Sequence, residues 1–260
     1  MPHAIKIDKK YRKKGLTVVL THVQEETVDL AAFMMKRFPT NTAMVTADNP
    51  LVIGKSDALK LPMAALVGVD GKIIAVGHRN EVGKLIDKRI PIELKKLQTG
   101  WGAAPEIASA RALMHGKGLL FDAKKILETY QPSTEEVKAD LELAKKELKL
   151  RFKADVASIK YMMATGSWIE AKKNLEALTK GCKGEPTWEA TCAAFKAKFD
   201  DYVGKNELKL DKAVTKLIIA SQKGVKDGMD LKMRKVVGKM TGLKVSKRAM
   251  WYANVWSRMK

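Results

Sequence analysis

The sequence predicts two fold classes in succession, an α/β domain at the N-terminus and an all-α domain of helical hairpins after it. Three observations carry this. The run from Leu61 to Gly77 reads as a β-hairpin: apolar segments flank Asp70-Gly71, a pair that accepts the positive φ of a tight turn. Two further apolar, β-branched stretches, at 16–22 and 42–48, read as strands separated by a helical pattern at 26–38. From residue 105 to the end no strand pattern remains, and apolar residues recur at helical spacing.

Taken in order, residues 1–14 form the end of a helix, with Gly15 as its left-handed cap. The strand at 16–22 is nearly continuous in apolar and β-branched residues, as a parallel strand covered on both faces should be. The helix at 26–38 has Glu25 and Glu26 at its positive end and Lys36 and Arg37 at its negative end, and Pro39 stops it. Residues 48–61 form a connector around Asn49-Pro50 and Gly54. Pro62 opens the hairpin without removing a donor from a strand interior. Residues 80–87 read as a closing helix with Asn80 as N-cap. The α/β domain is thus 1–90, and residues 91–104, with Pro91, Gly100 and Gly102, read as a linker.

The domain at 105–260 is read as helices at 106–115, 119–130, 133–165, 168–180, 187–202, 207–223, 228–240 and 246–258. Ser133 and Glu136 form a capping box for the longest, and Ser167 caps the next in the same way. Asp122-Ala123-Lys124-Lys125-Ile126-Leu127-Glu128 echoes Glu170-Ala171-Lys172-Lys173-Asn174-Leu175-Glu176, each after a helix and a glycine break. A third unit of helix, break and helix spans 220–256. Such self-similarity is the mark of helical-hairpin arrays, and this part resembles degenerate tetratricopeptide-like repeats.

The order of helix tail, strand, helix, strand, proline, hairpin and helix resembles the thioredoxin-like fold of the TlpA/ResA family, part of the AhpC/TSA-like superfamily. The resemblance rests on Lys10-Tyr11-Arg12-Lys13-Lys14-Gly15-Leu16 and on Val67-Gly68-Val69-Asp70-Gly71-Lys72-Ile73. It covers about the first third of the chain. It implies that Leu61-Pro62 is a cis bond and that Leu61, Pro62 and Met63 line a substrate groove. It also implies that the domain is incomplete. The family carries a first strand and a Cys-x-x-Cys at the start of its first helix, and this chain begins just after that place. The resemblance points to an N-terminally truncated form and to an extracytoplasmic setting, although the N-terminus shows no apolar signal core.

The only cysteines, Cys182 and Cys192, fit neither a redox Cys-x-x-Cys nor a zinc site. In an exported protein they can form a disulfide clamping one helical hairpin; otherwise they are two partly buried thiols. His3, His22, His78 and His115 lie in different elements without metal-ligand spacing, and no cofactor motif occurs, so the sequence implies no metal and no cofactor. His22 ends a strand, on the edge where α/β folds place their sites, although a polar residue at a strand end more often has a structural role. Trp168, Trp188, Trp251 and Trp256 sit on helices among apolar neighbours and read as packing residues, or alternatively as a recognition surface of a repeat array.

The formal charge of +20 admits an anionic partner such as nucleic acid, a membrane surface or a cell-wall polymer. The excess is mainly lysine, with nine arginines, and the lysines are spread along helices beside Glu or Asp. That pattern favours a solvated basic surface over dedicated nucleic-acid recognition, which would need a lysine cluster on one face. No apolar run reaches the length of a membrane span. Two functions therefore compete. The resemblance implies a TlpA-like thiol–disulfide oxidoreductase acting on a disulfide substrate, inactive as written because the dithiol is absent. The alternative is a non-catalytic binding or scaffold protein whose basic helical hairpins hold a protein or an anionic polymer.

Overall fold

The N-terminal segment folds as its capping signals direct. In the computed structural model, which describes residues 2–22, 32, 43–46, 63–203, 205–221, 224–238 and 244–259, α1 (Pro2–Tyr11) tightens into one 3-10 turn. Gly15, at φ 106°, ends it by donating to the Arg12 carbonyl at 3.0 Å. Then β1 (Val19–His22) pairs in parallel with β2 (Ala43–Thr46), and β3 (Met63–Val67) pairs antiparallel with β4 (Ile73–His78). The Asp70-Gly71 turn is where the sequence puts it. Gly71, at φ 76°, donates to the Gly68 carbonyl at 3.0 Å, and the Asp70 carboxylate accepts from the Lys72 amide at 3.1 Å. The expected helix at 26–38 and connector at 48–61 lie outside the described residues.

The expected α/β thioredoxin-like domain is not what the described residues form. Their strands make two separate two-stranded pairs and no shared sheet, and helix dominates the rest. The hairpin shows why two strands do not substitute for a layered sheet. Its inner face, Leu66 and Ala75, is buried, while Val67, Ile73 and Val76 on the remaining positions are exposed. A sheet with helices on both faces would bury both sets.

The residues expected as a linker are also different. One helix, α2 (Arg79–Thr99), runs from the hairpin through Pro91 to the Gly100 cap. His78, not Asn80, is its N-cap: the imidazole Nδ1 accepts from the Asn80 amide at 3.4 Å. A proline inside a helix removes one hydrogen bond and costs about 3 kcal/mol. Tertiary packing offsets this here. Ile90 and Leu94, either side of Pro91, are buried with Leu66 and Ala75 of the hairpin. Glu93 adds polar ties, accepting from the Val69 amide at 3.1 Å and from Lys96 at 2.7 Å.

The chain divides into two compact units, one built from Lys6–Gln24 and Ala43–Lys149, the other chiefly from Leu150–Lys260. In the first, α2 is followed by α3 (Pro105–Arg111), a π-helical turn (Ala112–Lys117), α4 (Leu120–Thr129) and the start of α5 (Glu135–Ala164). Gly100, at φ 83°, is needed at the bend after α2, because a Cβ there would lie 1.7 Å from the Ala108 carbonyl oxygen. Thr134 caps α5 through the Val137 amide at 3.3 Å, one residue later than the capping box at Ser133 predicts.

Arg111, 1% exposed, organises this unit. Its guanidinium holds Glu147 through two hydrogen bonds, at 2.8 and 3.2 Å, pairs with Asp140 at 2.8 Å and donates to the Trp101 carbonyl at 3.1 Å. Asp140 also accepts from the Ala103 amide at 2.7 Å, so the 100–104 bend is fixed against α5. A buried guanidinium is tolerable because every face of its fork is matched.

The second unit holds the rest of α5, then α6 (Trp168–Gly181), α7 (Pro186–Tyr202), α8 (Lys205–Ser221), α9 (Met229–Val237) and α10 (Lys244–Ser257). Val214, Met229, Met233, Val245, Ala249, Ala253 and Trp256 form its core. Among the described residues no helix is long and apolar enough to cross a membrane.

Burial raises the Asp140 carboxyl, but hydrogen bonds from Arg111 and the Ala103 amide outweigh it, and the group sits below the usual range. Its stabilisation is therefore present above the unfolded value of about pH 4 and is lost as pH falls through the lower folded value. Asp140→Asn should lower stability at pH 7 by about 1.5–3 kcal/mol. It should also flatten the loss below about pH 4. Urea midpoints at both pH values check this; an unchanged acid limb would contradict it.

Candidate functional site

The C-terminal pair α9 and α10 is built by amphipathic patterning. On α10, Val245, Ala249, Ala253 and Trp256 are buried, four positions at helical spacing on one side. The opposite stripe, Lys247, Trp251, Asn254 and then Arg258 just past the helix end, is exposed. On α9, Met229, Asp230 and Met233 turn inward, while Leu231, Lys232, Arg234 and Lys235 are exposed. Arg234 joins the two outer faces, donating from Nη2 to the Asn254 Oδ1 at 2.9 Å.

A single buried carboxylate orients this pair. Asp211 of α8 is 0% exposed. Its Oδ2 accepts from the Ile169 amide at 2.8 Å, which makes it the N-terminal cap of α6 from a distant helix. Its Oδ1 accepts from Arg248 of α10, and Arg248 also donates to Ser167. The sequence predicts Ser167 as a side-chain cap of this helix, but Ser167 makes no such bond and is engaged by Arg248 instead. With Arg248 turned into the unit, the residues one turn away on either side of the helix are committed to core or solvent. Tyr252, beside Trp251 with ring centroids 5.0 Å apart and nearly perpendicular, is partly buried against the core, and burial pushes its phenol up.

The charge carried by the C-terminal segment itself is one-sided. From Leu231 to Lys260 the chain carries nine Lys and Arg and no Asp or Glu. Of the carboxylates near it in the fold, Asp211 is spent on Arg248 and Asp230 is buried, while Glu170 of α6, whose charge reaches Tyr252, and Asp227, just before α9, are exposed. The absence of acids over thirty residues was a sequence signal for this face. The stripe itself needed the burial pattern, because Lys247 and Arg248 are adjacent in sequence and point to opposite fates.

The residues that the sequence singles out fare differently. Leu61 and Pro62, expected to line a substrate groove, lie outside the described residues, and Met63 opens β3. His22 ends β1. His115 lies in the π-helical turn, its ring 5.2 Å from that of Trp101 and its Nε2 3.9 Å from Glu147. Trp168 and Trp256 are core residues, and Trp188 stacks on Phe152 at 4.9 Å. Trp251 departs from the packing expectation, at 42% exposed.

Cys182, at the C-cap of α6, and Cys192 on α7 are brought together as buried free thiols that hydrogen-bond one another. Burial, with the neighbouring Cys192, pushes Cys182 up to about 12, and burial raises Cys192 as well. Thiols held this way are poor nucleophiles at neutral pH. Among the described residues no group of three or more His, Cys, Asp or Glu is placed to hold a metal ion.

Two outcomes check this geometry. Both thiols should resist an aromatic disulfide reagent at pH 7 in the folded chain and react once it is unfolded; rapid labelling of the native protein would contradict their burial. Arg248→Met, which strands the Asp211 charge, should cost about 3–5 kcal/mol in urea unfolding, against little for Lys247→Met on the exposed stripe. No protein-family model matches the chain, and no curated protein or solved structure matches it either.

Proposed function

We propose that the chain is a binding protein that holds an anionic polymer on the outer face of α9 and α10. The observation that carries this is the exposure of Lys232, Arg234, Lys235 and Lys247 within a segment free of carboxylates, with Arg234 bonded across to Asn254 of α10. Sequence alone left the basic charge as a diffuse surface. The exposed cations of α9 and α10, joined through Arg234 and Asn254, support a basic face of the kind a polyanion partner uses. The chain has no Cys-x-x-Cys, and its two thiols are buried with raised pKa values, which supports binding rather than thiol–disulfide exchange.

Neutralising several charges along a polymer releases its condensed counterions, so affinity should fall steeply as salt rises. The pair is held by Asp211 and a closed apolar core, so the face is preorganised and little ordering entropy is lost on binding.

Heparin affinity measured across a salt series tests the reading. Charge reversal of Lys232, Lys235 and Lys247 together should weaken binding by at least about tenfold and reduce the salt slope by about 2–3. The same reversal at Lys146, Lys149 and Lys153, exposed on α5, should change it far less. Equal losses from the two triple variants would mean that net charge alone attracts the polymer, and would sink the assignment of this face.

A further inference from the structure

We infer that the polymer is a single-stranded nucleic acid and that Trp251 is its base-stacking platform. This rests on the reading of α9 and α10 as a polyanion face and gives it a chemical class. Trp251 is the exposed aromatic of α10, and it lies on the same stripe as Lys247 and Asn254, one turn from each. The rise of an α-helix puts Lys247 about 6 Å along the axis on one side and Asn254 about 4.5 Å on the other. Asn254 in turn holds the Arg234 guanidinium at 2.9 Å, so an α9 cation is carried to the α10 stripe. The indole is thus set between cations. Tyr252 meets it nearly perpendicular and is itself partly buried against the core, so the contact braces the indole without a parallel ring lying against it.

Alternating cations and an aromatic face are what a flexible strand with phosphates and unpaired bases can use at once. Heparin-like polymers have the charge and no bases. A duplex has its bases stacked on each other, and its phosphates would meet the lysines without needing Trp251. A membrane surface is a poorer fit, because an interfacial helix must lay an apolar face into lipid. The apolar face of α10, Val245, Ala249, Ala253 and Trp256, is already consumed in the core.

The full chain should be titrated at fixed salt with fluorescent oligothymidylate, with an abasic deoxyribose-phosphate oligomer of equal length, and with heparin. Trp251→Ala should weaken oligothymidylate binding about tenfold, the worth of one base–aromatic stack, and leave the other two within about twofold. Trp251→Phe should restore most of the loss, and both variants should keep the wild-type unfolding midpoint. Two results would overturn the inference while the polyanion reading stands: equal wild-type affinity for the thymidylate and abasic oligomers, or an equal effect of Trp251→Ala on all three ligands. Failure of the wild type to bind any of the three would remove both.

Discussion

Asp211 is taken wholly out of water, and the C-terminal unit is arranged to satisfy it. A lone buried carboxylate costs several kcal/mol, so its partners are obligatory. One oxygen takes the amide of Ile169 and thereby fixes where α6 starts; the other takes Arg248 and fixes the rotation of α10 about its own axis. Rotation is the variable that matters for function. Once Arg248 faces inward, Ala249 and Ala253 turn with it toward the core, and Lys247, Trp251 and Asn254 are left facing solvent. The apolar core of Val214, Met233, Val245 and Trp256 provides the bulk of the driving force but is non-directional. The ion pair is not, because its geometry must be right for it to be tolerated at all.

The other unit uses the same device with the sign reversed. Arg111 is the buried charge, and Asp140, Glu147 and the Trp101 carbonyl surround it. The contacts tie an irregular bend to two helices, where apolar packing has little regular surface to work with. The π-helical turn begins immediately after Arg111, so the fixed guanidinium and the adjusted helix are neighbours. A wide turn inserts one residue and re-aims the side chains of that turn, here bringing His115 against Trp101. Gly100 and Gly102 are compatible with the tight bend before it: one faces the Ala108 backbone, the other the Asp140 and Arg111 side chains.

Charge that is paired or scattered differs in effect from charge that is concentrated. Along α5, cations sit beside carboxylates, as in Lys138 with Glu135, Lys145 with Glu142 and Arg151 with Asp155. Exposed pairs of this kind contribute little stability and present little net field. The α9 and α10 pair lacks carboxylates in its sequence from Leu231 onward. Its cations are not offset by carboxylates of the same segment, and the exposed Trp251 ring lies on the same helix stripe as Lys247.

By itself the sequence determined the local elements whose causes are local. Gly15, Asp70-Gly71 and the helices from residue 105 onward are where capping, turn chemistry and apolar periodicity place them, because those signals act over a few residues. The same locality misled at Pro91, where the expected break is overridden by Ile90 and Leu94 packing on the hairpin. It misled again at Ser167, whose expected capping role passes to Asp211, forty-two residues beyond the amide it holds. The α/β class failed for a related reason: each strand pattern was present, but pairing into one sheet is a long-range choice that strand propensity does not make. Only the tertiary structure decided which side chains of α9 and α10 face solvent and that Trp251, alone among the four helical tryptophans expected to pack, is exposed on the same stripe as Lys247. Exposure is a property of how α10 is rotated, and a buried pair between residues 211 and 248 sets that rotation.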